Sequence, residues 1–194
     1  MYSMFSEESG RVELVLYTDA LITRGTVRTS QHRVSDILNM TDDLFLILED
    51  VTIDEFGQHG ATTRAAYAQV NLDSVLFAVA NSEVPSLPEL RTPKQAEEAI
   101  ISVPPFRVTG AIHLLPSEDG NLRHSLTELT ARFVPVTDAT FWSDHLGEAR
   151  QQALMVAVNH RRAQILAPHK EVDPWAGLGG SAPAPPPGPG DLPG

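Results

Sequence analysis

Three arginines open the search for chemistry. Arg24 and Arg28 fall on one face of an alternating stretch, and Arg33 begins the next segment, so together they would form a small anion site for a nucleotide phosphate. The competing expectation is ion pairing with the nearby Asp36 and Asp43. Arg161 and Arg162, with His160, His169 and Lys170, make the other basic concentration. Seven histidines invite a metal reading, and His113, His124, His145 and His160 would have to converge to hold one. None stands in a His-x-x-x-His or His-Glu-x-x-His pattern, so surface or hydrogen-bonded roles are expected and no metal is assigned. Carboxylates cluster at Asp42-Asp43, Glu49-Asp50 and Asp54-Glu55. On a regular strand Glu49 and Asp50 would point to opposite faces, which makes a solvated rim and not an acid–base pair.

Other chemistries are absent from the sequence. There is no cysteine, hence no thiolate nucleophile, disulfide or thiolate metal site. No Gly-x-Ser-x-Gly elbow or Gly-Lys-Ser/Thr phosphate loop occurs, and Gly177-Leu-Gly-Gly lacks the strand and helix a dinucleotide site needs. No catalytic residue and no cofactor is assigned, and the chain is expected not to be an enzyme.

The elements around these residues are mostly strands. Val12, Leu14 and Leu16 alternate with polar neighbours, as do Thr23, Gly25 and Val27. Leu44 to Leu48 is a continuous apolar run, read as a strand buried on both faces or strongly curved; Ala65 to Val70 and Val75 to Val79 follow. Val34, Ile37 and Leu38 have helical spacing, with Ser35 as a cap.

The second half restates the first. Asp50-Val-Thr-Ile and Val70-Asn71 recur 88 positions later as Asp138-Ala-Thr-Phe and Val158-Asn159, and Leu38 as Leu126. Thr23-Arg-Gly-Thr-Val matches Val108-Thr-Gly-Ala-Ile at an offset of 85, which leaves three extra residues for the loop near Pro116 to Gly120. The chain then divides into a repeat at 11–80, a linker with a short helix at 81–104, a degenerate repeat at 105–172 and a tail at 173–194. Thr92-Pro-Lys-Gln reads as a capping box, which places a helix from Pro93 to about Ile101. With seven Pro and six Gly in 22 residues, the tail is expected to be disordered, with Trp175 and Leu178 as its one candidate docking motif.

Val12-Glu-Leu-Val-Leu-Tyr-Thr-Asp, Gly25-Thr-Val, Leu46-Ile-Leu-Glu-Asp-Val and Val70-Asn-Leu-Asp-Ser-Val-Leu-Phe resemble, in order, the two motifs of the Sm-like family. The resemblance spans roughly 70 residues of the first repeat and implies a bent five-stranded antiparallel barrel. The Arg33 to Asn39 segment also resembles an uncharacterised bacterial domain family with no assigned activity. Where RNA-binding Sm proteins carry Arg-Gly, this chain has Asn71-Leu72 and Asn159-His160, and the Arg33 to Asn39 segment replaces their base-binding loop. Neither RNA motif transfers.

The expected fold is therefore mostly β, two related Sm-like five-stranded repeats with short helices, packed as a pseudo-two-fold pair. The first-strand equivalent of the second repeat, Ala96 to Pro104, is expected to be helical. The expected function is assembly or adaptor work through protein–protein contacts; the alternative is RNA or nucleotide binding at the arginine clusters. A net charge of −11 disfavours broad binding to nucleic acid. It divides unevenly, with five basic and ten acidic groups in residues 11–80 against seven of each in 105–172. No signal-like pattern or long apolar run is present, so the chain is expected to be cytoplasmic and not membrane-bound.

Overall fold

The computed structural model describes residues 10–31, 33–40, 44–57, 60–80, 95–114 and 122–168. Ten antiparallel strands make one sheet. In chain order the elements are β1 (Gly10–Tyr17), β2 (Leu21–Thr29), α1 (Val34–Asn39), β3 (Phe45–Glu55), β4 (Thr62–Asn71), β5 (Phe77–Ala80), β6 (Gln95–Val103), β7 (Phe106–Leu114), α2 (Leu122–Thr127), β8 (Phe133–Ser143), β9 (Glu148–Asn159) and β10 (Ile165–Pro168). Across the sheet the order is β10-β6-β7-β8-β9-β5-β1-β2-β3-β4. No described helix is long and apolar enough to cross a membrane.

Local chemistry accounts for these elements. Alternation puts Val12, Leu14 and Leu16 inside on β1. Thr18 then closes the β1–β2 turn: its Oγ1 accepts from the Ala20 and Leu21 N–H groups at 3.2 and 2.9 Å. The long strands β3 and β8 are each broken by a bulge. Pairing with β2 slips between Arg24 and Thr26, and pairing of β7 with β8 slips between Thr109 and Ala111. Glycine sits at the crossing in both, Gly25 and Gly110. A Cβ at Gly110, whose φ is +151°, would lie 2.6 Å from the Thr137 carbonyl oxygen. Opposite, Asp50 and Asp138 take positive φ of 52° and 50°, a conformation Asp tolerates better than most residues.

The registers of the two halves coincide. Adding 85 to β1 and β2 numbers and 88 to those of β3, β4 and β5 turns Tyr17↔Ile22 into Ser102↔Arg107, Arg24↔Thr52 into Thr109↔Thr140, and Glu49↔Tyr67 into Thr137↔Met155. The same shift turns Leu14↔Ala80 into Ala99↔Pro168.

Four expectations need correction. Gln95–Val103 is a strand, not the continuation of a helix. Its apolar Ala99, Ile101 and Val103 alternate into the core, and pairing on both sides with β7 and β10 overrides the local helix signal. The sheet is also open instead of forming two closed barrels, because β5 pairs with β9 of the other half and leaves β4 without it. That joint links unlike strands, so the halves follow one another head to tail and are not related by a two-fold. Finally, Phe45 and Ile47 of the apolar run in β3 face outward, exposed, while Leu46 and Leu48 face in.

The two halves share their cores. Tyr17 and Phe77 of the first half stack at 4.4 Å and meet Phe106 and Phe141 of the second at 5.1 to 5.7 Å. Conversely, Phe133 and Ala157 of the second half join Val34, Leu38, Leu72 and Ala78 in a core otherwise made by the first. Each aromatic pair contributes roughly 0.5–1.5 kcal/mol beyond its buried area.

Candidate functional site: the open edges of the sheet

The joint between β9 and β5 shows how one half of this molecule grips the other. Phe77, Ala78 and Val79 lie opposite Val158, Ala157 and Val156. Asn159, only 1% exposed, locks the end of this pairing. Its Nδ2 donates to the carbonyls of Leu72 and Val75 at 3.3 and 2.9 Å, its backbone N–H donates to Leu76 at 2.9 Å, and its Oδ1 accepts from the Arg161 N–H at 3.2 Å. Above it, Asn39 of α1 exchanges two 2.8 Å bonds with the backbone of Phe133, whose side chain is fully buried. Arg132, mostly buried, reaches Asp73 across the joint at 3.6 Å. The Asn159 and Asn39 carboxamides, each bonded through both its oxygen and its nitrogen, fix a single register, whereas Arg132 Nη1 is buried without a hydrogen-bond partner.

At the two outer edges, the corresponding residues face solvent. Phe45 stands in β3 where Phe133 stands in β8, but is 43% exposed. Val70 and Asn71 of β4 correspond to Val158 and Asn159; the first is half-buried and the second exposed. Ile165 of β10 corresponds to the fully buried Phe77 and is 58% exposed. Tyr67 and Ile47 add to the exposed apolar surface beside β4. This edge runs ten residues, Thr62–Asn71, with Arg64 as its single charge and no proline, and so lacks the usual devices that discourage strand addition.

No family model, curated protein or solved structure matches the chain. The geometry of the edges therefore carries the functional argument.

The arginines singled out by sequence lie elsewhere and meet carboxylates. Arg24 pairs with Asp54, and Arg28 Nε lies 3.4 Å from Glu49; among the described contacts neither meets the expected Asp36, and the expected Asp43 lies outside the described residues. Arg33 stands just before α1, where its carbonyl accepts from Asp36 and Ile37 at 3.0 Å, and among the described contacts none joins it to Arg24 or Arg28. Arg161 and Arg162 occupy the single helical turn His160–Arg162, where Arg162 reaches Asp19 at 4.0 Å. Glu49 and Asp50 differ from the alternation argument: both accept from Arg11 Nη2, at 3.0 and 2.9 Å, because the positive φ at Asp50 turns it back.

Among the histidines, His113 Nε2 meets Thr137 Oγ1 at 2.9 Å, His124 meets Glu128 at 3.2 Å and His160 Nδ1 meets the Arg132 carbonyl at 3.2 Å. Among the described residues no three His, Asp or Glu side chains are grouped as a metal ion requires. Trp175, Leu178, His169, Lys170 and the 173–194 tail lie outside the described residues, as does the 81–94 part of the expected linker. One feature sequence reasoning missed is an open groove of about 680 Å³ lined by Asp19, Pro104, Pro105, Arg107, His145 and others. It assembles from turns at distant sequence positions, which no local pattern reveals.

Proposed function

We propose that this chain is a non-enzymatic assembly protein, built from two related Sm-like units of five strands, that works through protein–protein contacts along its open edges β4 and β10. The observation that carries the reading is the pairing of like residues in unlike environments: Phe45 with Phe133, Val70 with Val158 and Asn71 with Asn159, exposed or half-buried at the edge and buried at the joint. Solitary exposed apolar residues are ordinary; a set that reproduces a working joint is not. The coincident registers and the shared order of elements support the two-unit part of the reading. Arginines already countered by Asp54, Glu49 and Asp19 support protein contact over phosphate binding, since a phosphate would have to displace those carboxylates.

The test is photo-crosslinking in the cells the protein comes from, with a photoreactive residue at Tyr67 or Ile165 and a mid-sheet control at Arg107. Protein adducts should form at the two edge sites and not at the control. Equal yields at all three sites, or none, would remove the reading.

A further inference from the structure

We infer that the open groove beside the Pro104–Pro105 turn takes the chain's own segment Glu171-Val-Asp-Pro-Trp, with the Trp175 indole against Pro105 and Leu146 and the Asp173 carboxylate on Arg107. Its occupancy neither requires nor excludes a partner at the β4 and β10 edges. A row of paired residues leads to the groove. Ile165 of β10 lies opposite Ser102 of β6, Ser102 opposite Arg107 of β7, and Arg107 opposite Trp142 of β8, so all four share one face of the sheet. Arg150 of β9 closes the row, its guanidinium 4.7 Å from the centre of the Trp142 ring.

Charge and lining fit this occupant. Arg107 and Arg150 are exposed, and neither meets a carboxylate among the described residues, whereas Arg11, Arg24, Arg28, Arg132 and Arg162 each do. The groove's own Asp19 is countered by Arg162 at 4.0 Å, which leaves Arg107 to set the local sign. A carboxylate is the group this arginine lacks. The rest of the wall is apolar, made by Pro104, Pro105, Phe106 and Leu146, and the volume is about 680 Å³. Clefts of roughly 300–1,000 Å³ take ligands larger than an indole. An apolar wall beside a guanidinium suits a tryptophan, whose ring is apolar and whose π face attracts a cation, the contact that Trp142 and Arg150 already make.

Where the chain leaves the sheet selects the tail over a free peptide. β10 ends at Pro168, opposite Ala99, three residues along the strand from the Ile165–Ser102 pair and two strands from Arg107. At roughly 3.3 Å per residue and 4.8 Å per strand, Pro168 and Arg107 are about 14 Å apart. Asp173 and Trp175 follow Pro168 by five and seven residues. Their reach is about 17 and 25 Å, so both arrive at the groove. Acid precedes aromatic in this segment by two residues, as Arg107 is two residues from Pro105. A tethered segment also acts at an effective concentration on the order of mM, so contacts too weak to hold a separate peptide suffice.

The chain holds two tryptophans and no cysteine, which gives two independent probes. In the full chain carrying Trp142→Phe, Trp175 is the sole indole. Docking predicts that it emits to the blue of the urea-unfolded chain and is quenched by acrylamide several-fold more slowly. Arg107→Glu, at an exposed position, should abolish that shielding, and Arg64→Glu, on β4, should leave it intact. In the second probe, His145→Cys is placed in the otherwise unmodified full chain. Its alkylation should run several-fold slower than in the same chain carrying Trp175→Ala. Alkylation indifferent to Trp175→Ala would overturn the docking, whatever Trp142→Phe does to the fold. Shielding of Trp175 that survives Arg107→Glu would overturn this groove as its site. Shielding that grows with protein concentration would overturn docking within one chain in favour of a second copy.

Discussion

Asn39 and Phe133, 94 positions apart in sequence, exchange two 2.8 Å hydrogen bonds, with the Asn39 carboxamide acting toward the Phe133 backbone as a neighbouring strand residue would. The bond pair fastens a helix of the first half to the first residue of a strand in the second, directly over a shared core. Asn39→Ala leaves a part-buried N–H and C=O without partners and should cost roughly 2–3 kcal/mol. Urea unfolding should register the loss in one cooperative transition, because the cores are shared; two separate transitions would mean that the halves fold independently.

The contrast between Asn159 and Asn71 gives a second expectation. Asn159→Ala strips the buried lock from the inner joint and should destabilise the fold by roughly 2–4 kcal/mol. Asn71→Ala, on the exposed counterpart, should change unfolding by less than about 0.5 kcal/mol yet lower the adduct yield of the Tyr67 photoprobe. Paired melts and crosslinking on the two variants separate these effects.

The bulge glycines should not tolerate a side chain equally. In Gly110→Ala the new Cβ meets the Thr137 carbonyl oxygen and the Val136 side chain at 2.6 and 2.9 Å, at a φ that L-residues avoid; a loss above about 2 kcal/mol is expected. Gly25→Ala has its closest contacts at 3.0 Å, to the Glu49 carbonyl oxygen and the Leu48 Cβ, and should lose less. Thermal melts that rank the two in the opposite order would contradict this account of the two crossings.

Tyr17 makes alkaline stability a probe of the aromatic cluster. Burial raises its pKa above the usual 10.0, Arg24 lowers it in part and Glu148 raises it. The folded state thus holds the phenolic proton to higher pH than the unfolded chain does. The contribution is fully present below pH 10 and is lost as pH rises through the folded value. Melts between pH 8 and 11.5 should therefore show less alkaline loss in Tyr17→Phe than in the unmodified chain.

The first two strands were legible in the alternation of Val12 and Leu14 with Glu13 and of Thr23, Gly25 and Val27 with Arg24 and Thr26, and in Thr18, the turn residue after β1. The bulges left a sequence trace too: Gly25 with Asp50 and Gly110 with Asp138 are the crossing and left-handed residues that the geometry needs. β6 was misread because Thr92-Pro-Lys-Gln and Gln95-Ala-Glu-Glu-Ala carry helix propensity, while two flanking strands that no local window contains decide the outcome. The joint was illegible for a related reason. Whether β5 closes on its own unit or crosses to β9 depends on which edge lies nearer in space, and Phe77 would be buried either way. Nor could sequence place Arg24 beside Asp54, 30 positions away across a strand pair.

The central claim is that the outer edges are contact surfaces built like the inner joint. The most direct measurement is adduct yield from a photoreactive residue at position 67, compared between the otherwise unmodified chain and Val70→Lys, with the Arg107 site as background. The claim requires protein adducts several-fold above background that fall toward it when Val70 becomes Lys. Adducts at background level, or adducts indifferent to Val70→Lys, would contradict it.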